Sequence, residues 1–208
     1  ETYLSGSSHP IEVSRALLKF DIASLSAVTN SIDLNDPSFK CFVRLSDIYG
    51  GRPTPSNFTL VLFPLAQEFS EGRGMDVAAY RDVDAVNWVT ASVTNGVQVL
   101  WNTSGVSASG SIGTSSLDYY STSAPLLGSV SLGVSQSFQR GDEDLKLDVT
   151  TLVSGTLAGW IPDNGFRLSF VSAQETDSRS YFVKQFASRH VRDSLLHPKL
   201  DVHFNDAI

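Results

Sequence analysis

Apolar residues in this chain come in short alternating runs, each closed within a few positions by Gly, Pro, Asn, Asp or Ser. That spacing fits strands separated by turns and leaves little room for long helices. The segment "SRALLKFDI" (14–22) predicts a strand with Leu17, Lys19 and Asp21 on one face and Leu18, Phe20 and Ile22 on the other. "KCFVRLSDI" and "FTLVLFPL" predict two more, with "YGGRPTPSN" as the turn region between them. "GVQVLW" (96–101) is a shorter strand, "GSVSLGVSQSF" alternates Val130, Leu132 and Val134, and "EDLKLDV" alternates Leu145, Leu147 and Val149. "FRLSFVSA" alternates Phe166, Leu168 and Phe170, and "SYFVKQFA" and "PKLDVHF" complete the set.

One segment carries the helical period instead. "DVTTLVSGTLAGWIPDNG" offers Thr150 or Thr151 as an N-cap and sets Leu152, Val153, Thr156, Leu157 and Trp160 along one stripe. Pro162 and Gly165 then stop it. Roughly eight to ten strands plus one short helix predict an all-β fold, a jelly-roll β-sandwich. It is read as a single domain over residues 1–208, with 102–116, almost wholly Ser, Gly, Thr and Asn, as an exposed loop.

Charge narrows the partners. The net charge of −7 argues against a nucleic-acid surface and suits neutral partners, sugars or other proteins. The single cysteine, Cys41 in "CFVRL", permits no internal disulfide and reads as a small core residue. No apolar run reaches the length of a membrane span, so no membrane partner is expected. "ETYLSGSSHP" has neither an initiator Met nor a signal-peptide profile, which points to processing or to part of a longer chain.

The search for chemistry yields candidates but no constellation. His190, His197 and His203 are spaced as neither a helical metal motif nor a zinc finger. The sequence has no nucleophile elbow and no phosphate-binding loop. Asp82 with Asp84, and Asp142 with Glu143 and Asp144, are spaced for acid–base catalysis or for calcium, and equally for solvated turns. Calcium is the one cofactor such turns suit, and no other is expected. Trp88, Trp101, Tyr119 and Tyr120 flank loops, where flat rings either stack on a sugar or pin the loop down. Asn57 and Asn102 stand in N-x-S/T sequons that matter only in a eukaryotic secretory pathway.

Three segments together resemble the DNRLRE-type β-sandwich family, which includes alginate-binding carbohydrate-binding modules. They are an early strand over Arg15 to Leu25 with Phe20 and Asp21, a central helix and strand over Asp148 to Phe166 with Thr150, Trp160 and Gly165, and a final segment over Phe186 to Phe204 with Pro198. A narrower likeness, extending through "EGRGMDVAAYRDVDAVNW", is to virion structural proteins of tailed phages, many of them marine. Their last segment resembles Ser180, Tyr181, Phe182, Lys184, Phe186 and Arg189 here, while "HVRDSLLH" departs from it.

The phage likeness implies a non-enzymatic virion structural component, a head decoration, neck or fibre-like appendage, assembled in the host cytoplasm. It would dock onto other virion proteins as part of an oligomeric assembly. The absence of disulfides suits that reducing compartment. The family likeness implies the alternative, a carbohydrate-binding module of a secreted polysaccharide-degrading enzyme. On either reading Trp88, Trp101, Tyr119, Tyr120, Lys184 and Arg189 are the candidate contacts for a glycan or a partner. A buried Arg15–Asp21 or Arg189–Asp201 pair would explain charges set in apolar strands.

Overall fold

The computed structural model describes residues 2–4, 11–27, 32–48, 56–72, 84–124, 128–176 and 183–205. In chain order its elements begin with β1 (Thr2–Leu4), β2 (Ile11–Val13), β3 (Ala16–Leu18), α1 (Ile22–Ser26), β4 (Lys40–Leu45) and β5 (Phe58–Pro64). They continue with β6 (Thr90–Thr94), β7 (Val97–Leu100), β8 (Ser109–Ser111), β9 (Tyr119–Thr122), β10 (Val134–Phe138) and β11 (Leu145–Asp148). The last are α2 (Thr150–Leu157), β12 (Phe166–Phe170), α3 (Ser172–Glu175) and β13 (Lys199–His203), with a 3-10 turn at Ser194–Leu196. The fold is all-β and sandwich-like, as the alternating runs require. Sheet orders are β1–β2, β10–β5–β12–β3, β11–β4–β13, β6–β7 and β8–β9. The pairings are antiparallel except β8 with β9, which is parallel, wherever the register is described.

The chain divides into two compact units of interleaved segments. One is made of Glu1–Lys19, Leu62–Gly133 and Asn164–Ser169, the other of Phe20–Val61, Val134–Asp163 and Phe170–Ile208. In the second unit β4 is the central strand of β11–β4–β13, and its inward residues Cys41, Val43 and Leu45 are all buried. Val43 lies opposite both Leu147 and Leu200. Phe39, Phe58 and Phe138 are also buried in this unit, with Phe58 stacked on Phe138 at 4.8 Å between centroids. Each such side chain contributes about 1.5–3 kcal/mol when fully buried.

Helix α2 adds Leu152 and Val153 to that core. Its start differs from the expected Thr cap: Thr150 is the first helical residue, and Asp148 Oδ1 accepts from the Thr150 N–H at 3.0 Å and from its hydroxyl at 2.5 Å. Its end differs too. Gly159 adopts φ +79°, and the N–H of Trp160 donates to the Gly155 carbonyl at 2.8 Å while that of Gly159 donates to Thr156. This is the Schellman arrangement. It reverses the chain before Pro162, leaves Trp160 60% exposed and buries Ile161 in its place.

In the first unit β12 pairs with β3, Phe166 opposite Leu18 and Leu168 opposite Ala16. Gly165, expected to stop the helix, instead permits this pairing. Its φ is +90°, and a Cβ there would collide with the Leu18 carbonyl oxygen. The buried cluster of Leu65, Ala91, Trp101 and Val106 packs Leu17, Phe69, Val86 and Tyr119 around it.

Four expected strands change. The first ends at Leu18, because Asp21 caps α1 by accepting from the Ser24 N–H at 3.0 Å and from its hydroxyl. β10 starts only at Val134, with Val130 exposed and Leu132 buried. In β12 Arg167 and Ser169 are buried along with Phe166 and Leu168, so that strand does not alternate. "SYFVKQFA" forms no strand over its described residues, and Phe186 makes only an isolated bridge with Asp47. Ser180, Tyr181, Phe182 and Asp82, and most of "EGRGMDVAAYRDVDAVNW", lie outside the described residues.

Candidate functional site

The hairpin β6–β7 is specified locally. Asn95 and Gly96 form its two-residue turn with φ of 52° and 78°, the left-handed pair that an Asn-Gly hairpin turn requires. Its root is anchored. Asn87 Oδ1 accepts from the N–H groups of Val89 and Thr90 at 2.9 Å, and the Trp101 ring N–H donates to the Asn87 carbonyl at 3.0 Å. A register shift between Thr90 and Ser92 turns Thr90 and Ala91 both inward.

The outer strand is different. Val97, Val99 and Leu100 are 66%, 40% and 54% exposed, and every residue of β7 is exposed. Ladder alternation turns the backbone of Gln98 and Leu100 away from β6, and the Leu100 carbonyl accordingly accepts from Gln67 Nε2 at 3.0 Å. β7 is thus an apolar edge strand in a two-stranded sheet among the described residues.

Beside the hairpin, Asp118 organises the Ser/Gly-rich segment. Its buried carboxylate accepts from the N–H groups of Asn102, Thr103 and Ala108 at 2.7, 3.1 and 2.8 Å. The segment expected as an exposed loop therefore contains β8 and the buried Val106.

The same unit holds a cleft of about 260 Å³, walled by Arg15, Glu71, Asn87, Trp88, Gly105 and Val106 among others. The Arg15 guanidinium lies 5.2 Å from the Trp88 ring centroid and donates to the Ser107 hydroxyl at 2.7 Å and to the Gly105 carbonyl. Gly105 has no side chain because the Trp88 ring occupies that space.

The sequence-predicted contacts scatter. Trp88 is half-buried at the cleft, whereas Trp101 is a core residue and presents no ring to solvent. Tyr119 is half-buried, 5.0 Å from the Phe63 ring and 4.7 Å from the Arg167 guanidinium, with Tyr120 half-buried next to it in β9. Arg189 is exposed. Lys184 is not at a rim: its side chain is 2% exposed. Its ammonium meets Asp47 Oδ1 at 2.5 Å and the carbonyls of Gly141 and Glu143 at 2.8 Å, over the rings of Phe138 and Phe186. All three donors are used, which removes Lys184 from the candidate contacts. The expected partner of Asp201 also changes, since Arg44 Nε lies 2.9 Å from its carboxylate.

The acidic turn holds the chain in place. Glu143 accepts from the N–H groups of Gln139, Arg140 and Gly141, and the bond from Arg140 leads in holding its carboxyl down at about 2. Asp144 accepts from the Asp47 N–H at 2.7 Å, and Asp142 pairs with Arg140 at 3.2 Å. Asp84 is exposed. The His197 ring contacts the Val191 carbonyl at 2.9 Å, and His203 stands edge-on to Phe42. Among the described residues no three His, Cys, Asp or Glu side chains converge to hold a metal. Burial, reinforced by nearby Asp148, pushes the Cys41 thiol up to about 12, so it carries no nucleophilic thiolate near neutral pH.

The apolar edge was missed in reading the sequence, though its signal is there. Between Asp84 and Arg140 the one charged residue is Asp118, and that one is buried. No family model matches the chain, and neither does any curated protein or solved structure.

Proposed function

We propose that this chain is a non-enzymatic structural component of a tailed-phage particle, a head decoration, neck or fibre-like appendage that acts by docking onto its neighbours. The observation that carries the docking half of this reading is the apolar β7 edge, set on a surface segment without exposed charge. Proteins that work alone blunt such an edge with Lys, Pro, a bulge or a very short strand; β7 is short, at four residues, but carries no charge, Pro or bulge of its own. The particle half rests on the likeness of the last segment and of the middle region to phage virion proteins. Cross-linking mass spectrometry on purified particles tests it, with the exposed Lys19, Lys40 and Lys199 as reporters. Cross-links to a capsid, portal or tail protein are expected; particles that lack the chain overturn the reading.

The cleft beside Trp88 favours a second reading, a carbohydrate-binding module. It offers an aromatic wall, an arginine, a carboxylate and a carboxamide, the groups that orient a sugar. A glycan array with the intact chain and a Trp88→Ala variant tests it. Binding that is lost in the variant supports this reading, and no binding to any glycan removes it.

A further inference from the structure

We infer that Lys184 and Asp47 form a covalent cross-link within the chain, a side-chain amide made by condensation of the ammonium with the carboxylate. This modification depends on neither functional reading above. The Lys184 side chain is 2% exposed and that of Asp47 18%, and the Lys184 nitrogen lies 2.5 Å from Asp47 Oδ1. An ordinary ammonium–carboxylate contact spans about 2.7–2.9 Å, whereas an amide nitrogen stands roughly 2.2–2.3 Å from its own oxygen. The pair falls between the two. Backbone bonds hold it there: Asp47 bridges Phe186, the Ala187 N–H donates to the Ser46 carbonyl at 3.0 Å, and the Ile48 N–H donates to the Gln185 carbonyl at 3.3 Å. Asp144 accepts from the Asp47 N–H at 2.7 Å. Nucleophile and carboxyl are thus positioned before they react, the condition under which intramolecular reactions gain most.

The surroundings give the step its direction. The Phe138 and Phe186 rings lie 5.2 and 5.0 Å from the nitrogen and shield the pair from water. The ammonium passes the proton facing Asp47 to the carboxylate it touches, which leaves an amine and a carboxylic acid. The carbonyls of Gly141 and Glu143, each at 2.8 Å, keep the other two hydrogens, so the new lone pair faces Asp47. The amine attacks Cγ and the C–N bond forms. One carboxyl oxygen then leaves as water, with the transferred proton and one proton from the nitrogen. Two buried charges disappear, and no co-reactant is consumed. Lys19 and Glu68, 3.3 Å apart with both side chains exposed, lack this enclosure and stay an ion pair. The amide ties together residues 137 positions apart, a constraint that the single cysteine cannot supply.

The intact mass of the purified, folded chain, read after denaturation, tests this. The expected mass is one water below that of the sequence, and a digest is expected to yield the Asp47 and Lys184 peptides joined as one branched peptide. Lys184→Gln and Asp47→Ala are each expected to show the full mass of their own sequences, while Lys19→Gln keeps the cross-link. The full sequence mass in the wild-type chain, a lost water that the digest places elsewhere, or a loss that persists in Lys184→Gln overturns the inference. The wild-type mass and digest decide the matter even where a variant does not fold.

Discussion

The segment around Lys184 and the hairpin strand β7 invert one another. The first is basic and aromatic, and its charge is turned inward: the ammonium lies against Asp47, two carbonyls and two phenylalanine rings. The second is uncharged and apolar, and its valines are turned outward. Residue type alone predicts the opposite placement in both. What decides is whether the fold supplies partners. A buried ammonium is tolerable where all three donors are met. An exposed valine is tolerable where it stands singly, and a row of them on an open strand edge is what the docking proposal rests on.

The contrast breaks most visibly at Lys184. Lys184→Ala leaves Asp47 facing a low-dielectric site without its cation and is expected to cost about 3–5 kcal/mol, measured by denaturant unfolding. Should the variant unfold at the wild-type midpoint, the ammonium is decorative and the comparison fails. Asp118→Ala comes next. It strands three backbone N–H groups in the hairpin's own unit, at a cost on the order of 3 kcal/mol. Its effect measures how far the hairpin's unit depends on the order of this segment.

A smaller, pH-dependent effect belongs to Glu143, which shapes the turn whose carbonyls receive Lys184. Its folded carboxyl titrates at about 2 against an ordinary 4.5, so the unfolded chain binds the proton more readily. Its stabilisation is fully present above about 4.5 and is lost as pH falls towards about 2. The stability gap between the wild type and Glu143→Gln is therefore expected to shrink across that window, followed by unfolding at a series of pH values. A gap that is constant down to pH 2 contradicts the assigned role. Smallest is Val97→Thr, which is expected to leave stability within about 0.5 kcal/mol, because the residue is 66% exposed and outside the core. A large loss would mean that β7 belongs to the core after all.

Much of the fold was legible in local pattern, since β4, β5, β7, β11 and β13 follow runs visible in the sequence. Where the reading failed, a single side chain outside the hydrophobic pattern had taken over. Asp21 turned a strand into a helix start, Gly159 turned the chain away after α2 before Pro162 was reached, and Lys184 directed its ammonium inward onto Asp47. The candidate site was less legible. Trp101 and Trp88 stand in similar surroundings in the sequence, yet one is core and the other lines a cleft, because the Asn87 turn and the hairpin register decide between them. The charge-free span was visible throughout, but only the paired geometry of β6 and β7 shows which of its edges is open.

The most direct test of the open edge is amide hydrogen exchange at Gln98 and Leu100, read by nuclear magnetic resonance. Their N–H groups point away from β6, so they are expected to exchange freely, while those of Val97 and Val99, turned toward β6, are protected. Exchange at Gln98 and Leu100 as slow as at Val97 and Val99 would contradict the account.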